Sequence, residues 1–164
     1  MLILGIDPGL RITGYGLVSM TADTGFRPKL VEGGVLRMKS KGDLATRLRE
    51  LDVQLEDLIK DTSPDQMGVE QLYAHYKHPR TAILMGHARG VILLAAARRE
   101  IKVTSLASTL VKRTITGNGH AKKAQVQRAI ASICKLDKPP EPPDVADAIA
   151  IAWTLAMRLG RGPA

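Results

Sequence analysis

Two short apolar runs end in nearly the same text. LILGID closes on Asp7 and QMGVE closes on Glu70, and in each a glycine and a β-branched residue precede a carboxylate. Runs of this length, bounded by turn residues or by a polar stretch, read as buried strands. A carboxylate at the end of a buried strand is costly. If the two strands are parallel neighbours, both acids stand at one sheet edge and at similar depth. Two carboxylates about 4 Å apart repel by roughly 4 kcal/mol at an effective dielectric of 20. A shared proton, a basic side chain or a cation must offset that.

The rest of the chain says where such strands lie. After 2–7, residues 13–20 and 30–38 read as strands with short links, which makes an antiparallel meander. Asp43 is a candidate N-cap for a helix over 43–60, where Leu44, Leu48, Leu51, Leu55 and Leu58 recur at spacings of three and four. Residues 66–72 read as a fourth strand, 80–99 as a helix, 101–104 as a fifth strand and 106–115 as a helix. Gly117-Asn118-Gly119 is a turn. A helix over 121–134, a stiff KPPEPP connector and a last helix over 144–159 follow. Helical crossovers place the fourth and fifth strands parallel to the first. The expectation is an α/β fold, a five-stranded mixed sheet with helices on both faces, and one domain over 1–164. The lone Cys134 excludes an intrachain disulfide and reads as a small apolar residue. No stretch reads as a leader, and the apolar run 81–97 is broken by His87 and Arg89 and short for a membrane span, so a soluble, cytoplasmic setting without membrane contact is expected.

A second acidic pair, Asp144 and Asp147, opens the last helix three residues apart, on one face. Alone, it also reads as a capping box with Asp144 as N-cap. Four acids together point to hard divalent cations, Mg²⁺ first, with Mn²⁺ as a substitute. Two such ions can stabilise the attacking and leaving oxygens of an in-line phosphoryl displacement. The surroundings agree. The chain has 24 Lys and Arg against 16 Asp and Glu, four of which are these acids, and a net charge of +8. Residues 71–128 hold eleven basic side chains, all four histidines and one acid, Glu100. A one-sided block of this kind suits a polyanion, and acids amid it suit a nuclease.

The blocks GIDPG (5–9), VEQLY (69–73), GHARGV (86–91), VKRTITGNGHAKKAQV (111–126) and DVADAIAIA (144–152) resemble, in order and over almost the whole chain, the RuvC family of Holliday-junction resolvases. The resemblance implies a ribonuclease H-like fold and a metal-dependent endonuclease that cuts four-way DNA junctions to 5′-phosphate products. It implies that Asp7, Glu70, Asp144 and Asp147 hold two Mg²⁺ ions per subunit, with Asp7 bridging them. Lys112 and Lys123 match lysines near the scissile phosphate, Lys123 helping to place the attacking water or offset charge. Tyr73 matches an aromatic that meets bases at the crossover. The stretch 74–80, slightly longer than in enteric members, reads as a DNA-contacting loop with Lys77 and Arg80. Helix 80–99 is apolar nearly all round, and its small residues Ala82, Gly86 and Gly90 suit a homodimer interface. RuvA and RuvB are the implied partners. A nuclease for RNA–DNA hybrids, an actin-like phosphotransfer ATPase and a DNA-binding module without chemistry remain rivals; the ATPase would need a second lobe.

Overall fold

The computed structural model describes residues 1–21, 27–38, 42–72 and 79–160. Three strands come first: β1 (Leu2–Asp7), β2 (Ile12–Ser19) and β3 (Lys29–Arg37). Helix α1 (Leu44–Thr62), β4 (Gln66–Glu70), α2 (Pro79–Arg98) and β5 (Lys102–Leu106) follow. Helices α3 (Ser108–Thr116), α4 (Lys123–Ile133) and α5 (Pro143–Gly160) complete the chain. The sheet order is β3-β2-β1-β4-β5. β1 runs antiparallel to β2 and parallel to β4, and β5 runs parallel to β4. This is the mixed sheet expected from the crossovers.

Each face of the sheet has its own core. Leu51, Leu55 and Ile59 of α1 and Ala88, Ile92, Ala95 and Ala96 of α2 pack with Leu4, Ile6, Met67 and Val69. On the other face, α3, α4 and α5 pack with Ile3, Val18 and Leu106. The period-two alternation of β1 divides its side chains between these cores. It leaves Asp7 on the α5 side, opposite Ile6.

Asp43 caps α1 as its position implied, its side chain accepting from the Thr46 N–H at 2.8 Å. Ser63 ends that helix in the left-handed region, at φ 44°. β5 reaches Leu106, two residues past its expected end, because parallel pairing continues to Glu70↔Leu106. α2 is longer than its apolar run. Over Arg80–Arg98 it is long and apolar enough, by length and composition alone, to cross a membrane. Here one side of it enters the core, while Ile83 and Leu94 are 62% and 50% exposed. Cys134 is half-buried at the end of α4, and burial pushes its thiol up to about 11, so it stays protonated.

Candidate active site

The site begins with glycines. β1 and β2 pair Gly5↔Gly16 and Asp7↔Gly14, and α5 lies across this rung with its alanine face down. A Cβ on Gly5 would stand 2.3 Å from the Ala148 carbonyl oxygen, and one on Gly14 would stand 2.1 Å from that of Asp144. No real side chain tolerates that approach. The missing side chains therefore let the first turn of α5 rest on the strand pair beside Asp7. A local reading sees these glycines as weakening the strands; their function is to seat a helix.

Asp144 does not cap that helix. α5 starts at Pro143, a favoured first residue because its missing N–H has no partner to lose. The Val145 N–H bonds the Pro142 carbonyl at 3.0 Å. Asp144 lies inside the first turn, where the helix dipole favours a negative charge, and Asp147 follows one turn on.

Glu70 comes from the other direction. The last β1–β4 pairs are Gly5↔Gly68 and Ile6↔Val69, so Asp7 and Glu70 each lie one residue beyond the same rung. Val69 points into the α1/α2 core, which turns Glu70 toward α3 and α5. There the Ser108 hydroxyl hydrogen-bonds it. A cleft of about 180 Å³ opens between these elements, with Glu70, Ser108, Lys112, Lys123 and Asp147 in its walls.

The electrostatics tie the four acids together. Asp7 is pushed up to about 8, first by burial and then by the charges of Glu70, Asp147 and Asp144, with Lys123 opposing. Burial also raises Glu70, and the charge of Asp147 adds to it, while the Ser108 hydrogen bond, Lys112 and Lys123 pull the other way. Burial works against the charge on Lys123. Its bond to Asp147 and the fields of Asp144 and Asp7 nevertheless hold its pKa above the usual value. Lys123 Nζ lies 3.0 Å from Asp147 Oδ2.

These acids are neighbours, not a finished cage. Among the described residues, no three His, Cys, Asp or Glu side chains are gathered closely enough to hold one ion as they stand. Lys123 supplies counter-charge to Asp147. The donor chemistry still fits a hard divalent cation: all four groups are carboxylates. Asp7 is buried among like charges with only Lys123 to oppose them, so a cation there would remove the penalty that drives its pKa up.

The fold thus brings Asp7, Glu70, Asp144, Asp147, Lys112 and Lys123 to one sheet edge. Arg80 is exposed at the start of α2 and is not in the cleft wall. Tyr73 and Lys77, with His75, Tyr76 and His78, lie outside the described residues. The basic block is also less uniform than its sequence suggests. Arg98 pairs with Asp52 at 3.0 Å and Arg99 with Glu56 at 2.9 Å, so both clasp α1. Ser108 was invisible in the sequence, since a lone serine at the start of a helix carries no chemical signal of its own.

The family model described as crossover junction endodeoxyribonuclease RuvC matches residues 3–155. A RuvC from Rhodopirellula baltica is 49% identical over 92% of this chain and 83% of that protein. One from Desulforamulus reducens is 43% identical over 93% and 91%. The RuvC structure from Thermus thermophilus superposes with a TM-score of 0.84 at 29% identity, covering 98% of this chain and 97% of that one. The T. thermophilus protein in complex with Holliday junction substrate gives 0.87 at 29% identity, over 99% and 96%. The yeast mitochondrial resolvase Ydc2, at 16% identity and a TM-score of 0.64, shares the fold. With a family model that matches residues 3–155 and a relative 49% identical over 92% of its length, the chain belongs to the RuvC family.

Proposed function

We propose that the chain resolves four-way DNA junctions as a homodimeric endodeoxyribonuclease, each subunit hydrolysing one phosphodiester at the Asp7–Glu70–Asp144–Asp147 edge. The RuvC family is divalent-metal dependent; our reading for this chain is two Mg²⁺ ions, with Mn²⁺ as substitute. The observation that carries the proposal is the electrostatic coupling of Asp7 to three acids from β4 and α5, inside a family of crossover-junction nucleases.

When bound, the divalent cations supply positive charge to the scissile phosphate and to its attacking and leaving oxygens. The chain's own residues do the rest. Asp7, Glu70, Asp144 and Asp147 hold the cations with hard oxygen donors. Lys112 and Lys123, one on each helix beside the cleft, attract the phosphate backbone. Lys123 is bonded to Asp147 and sits within the field of Asp7. It is therefore placed to exchange a carboxylate partner for a phosphate or a water as the substrate enters. The products are a 5′-phosphate and a 3′-hydroxyl.

The dimer reading rests on α2. A Cβ on Gly86 or Gly90 would meet nothing within 4 Å, so this small-residue stripe faces open space and not the sheet. With Ile83 and Leu94 exposed on the same helix, a second copy of α2 could approach closely. An isologous dimer would give two sites related by the two-fold symmetry of a junction. Tyr73, Lys77 and Arg80 are assigned to DNA contact near the crossover. Partnership with RuvA and RuvB, in the cytoplasm, completes the reading.

The test is cleavage of a synthetic four-way junction with Mg²⁺ and with chelator, in competition with duplex DNA and an RNA–DNA hybrid. Paired, metal-dependent nicks on the junction are expected. Preference for the hybrid would assign the chain to another ribonuclease H-like activity. Junction binding that is identical in both conditions and never followed by cleavage would leave a binding module.

A further inference from the structure

Arg89, in the GHARGV block, reaches the cleavage edge from behind. Its Nε–H donates to the Glu70 carbonyl at 3.3 Å, and its Nη2 donates to Ser105 Oγ at 2.5 Å. These acceptors belong to adjacent strands, β4 and β5. The guanidinium thus clips the two together on the face opposite the cleft, directly under the peptide that bears the Glu70 carboxylate.

That peptide has little else to hold it. Pairing of β4 with β1 stops at Ile6↔Val69. On the other side β4 keeps only its terminal pair, Glu70↔Leu106, with the Gln71 N–H on the Leu106 carbonyl at 2.8 Å. Arg89 is firmly rooted, because Ala88 beside it and Ile92 one turn on are fully buried under the sheet. A hydrogen bond from a charged donor is roughly twice as strong as one between neutral groups. A planar fork is pre-organised for two fixed acceptors, whereas a lysine presents a compact charge on a flexible stem. The bonds of Arg89 run to the Glu70 backbone carbonyl and to Ser105, not to the carboxylate itself.

We propose that Arg89 is a positioning residue. By pinning the Glu70 peptide to β5, it sets where the Glu70 carboxylate stands relative to Asp7, and hence how well the pair takes up a divalent cation. The inference rests on the reading of Glu70 as a cation-holding acid. Groups that orient ligands in this way typically change metal affinity by roughly 10–100-fold when removed. An interaction made through the backbone belongs at the low end of that range.

The experiment compares R89A, R89K and S105A with the unaltered protein. Mg²⁺ affinity is read by calorimetry on the DNA-free protein and by the Mg²⁺ concentration giving half-maximal junction cleavage. Junction affinity in chelator and the thermal midpoint are read alongside. R89A and R89K are expected to weaken Mg²⁺ binding about tenfold in both measurements, with junction affinity in chelator unchanged. Excess Mg²⁺ should restore cleavage to within about twofold. S105A leaves the carbonyl bond in place and should shift the same quantities less; it remains informative if R89A does not fold. A lower thermal midpoint with unaltered Mg²⁺ affinity would overturn the proposal, as would a cleavage defect that excess Mg²⁺ cannot restore. If the unaltered protein binds Mg²⁺ but cuts no junction, the functional reading fails while calorimetry still decides the role of Arg89.

Discussion

Replacing Asp7 with Asn should stabilise the metal-free protein while abolishing cleavage. The carboxyl ordinarily titrates at 3.8, and the fold pushes it up to about 8 through burial and three neighbouring acids. Between 3.8 and 8 the folded state therefore binds a proton that the unfolded chain has released. Stability falls as pH rises through that window and levels off above it. One pH unit is about 1.4 kcal/mol, so at pH 7 the native acid costs on the order of 4 kcal/mol. An amide removes that cost, though its own polar atoms lose solvation at about 1–3 kcal/mol if they find no partner. The net gain is about 2 kcal/mol, or roughly 4–8 °C in Tm for a chain of this size. Urea and thermal unfolding in chelator, at pH 7.5 and at pH 4.5, measure it. The Asn variant should lead at the higher pH and lose its lead at the lower one. In millimolar Mg²⁺ the order should tighten or reverse, since only the native acid gains from the cation. A variant less stable than wild type at pH 7.5 in chelator, or a lead independent of pH, would refute the electrostatic account of the site.

Other expectations follow from the same geometry. Gly14→Ala would force a methyl against the Asp144 carbonyl, and backbone on both sides leaves no soft neighbour to yield; a destabilisation of about 3 kcal/mol is expected by urea unfolding. Lys123→Ala should reduce cleavage about 10²-fold or more, measured in single-turnover assays on a synthetic junction. Lys112→Ala should mainly weaken junction binding and flatten its dependence on log salt by about 0.9, the share of a single neutralised phosphate. Ile83→Asp with Leu94→Asp should shift the protein toward monomer in sedimentation velocity, leaving the fold intact because both side chains are exposed.

Much of the architecture was legible because it follows from local signals. The strand endings LGID and MGVE mark two neighbouring parallel strands, and the structure puts Gly5 opposite Gly68 in one rung. Asp43 reads as a cap because its side chain needs only the N–H three residues on. What escaped the sequence is what depends on distant partners. Gly14 is a weak strand former locally and becomes meaningful only under the first turn of α5. Arg98 and Arg99 belong to a basic run by composition, yet Asp52 and Glu56, more than forty residues earlier, claim them. Asp144 satisfies the text of an N-cap, but Pro143 before it already has the backbone of a first helical residue. The acids themselves were legible as a set, not in their detailed contacts: Asp147 turns to Lys123, more than twenty residues earlier in the chain.

The bare seat of α5 has one more consequence. At Gly5 and Gly14 nothing bulkier than hydrogen separates helix from sheet, so the gap between the opposed acids has no shim that substitution could thin. Every exchange at those two positions can only widen it. Adapting the site to an ion of another radius is then left to the reach of the acidic arms, aspartate against glutamate, on a frame whose width is already at its minimum.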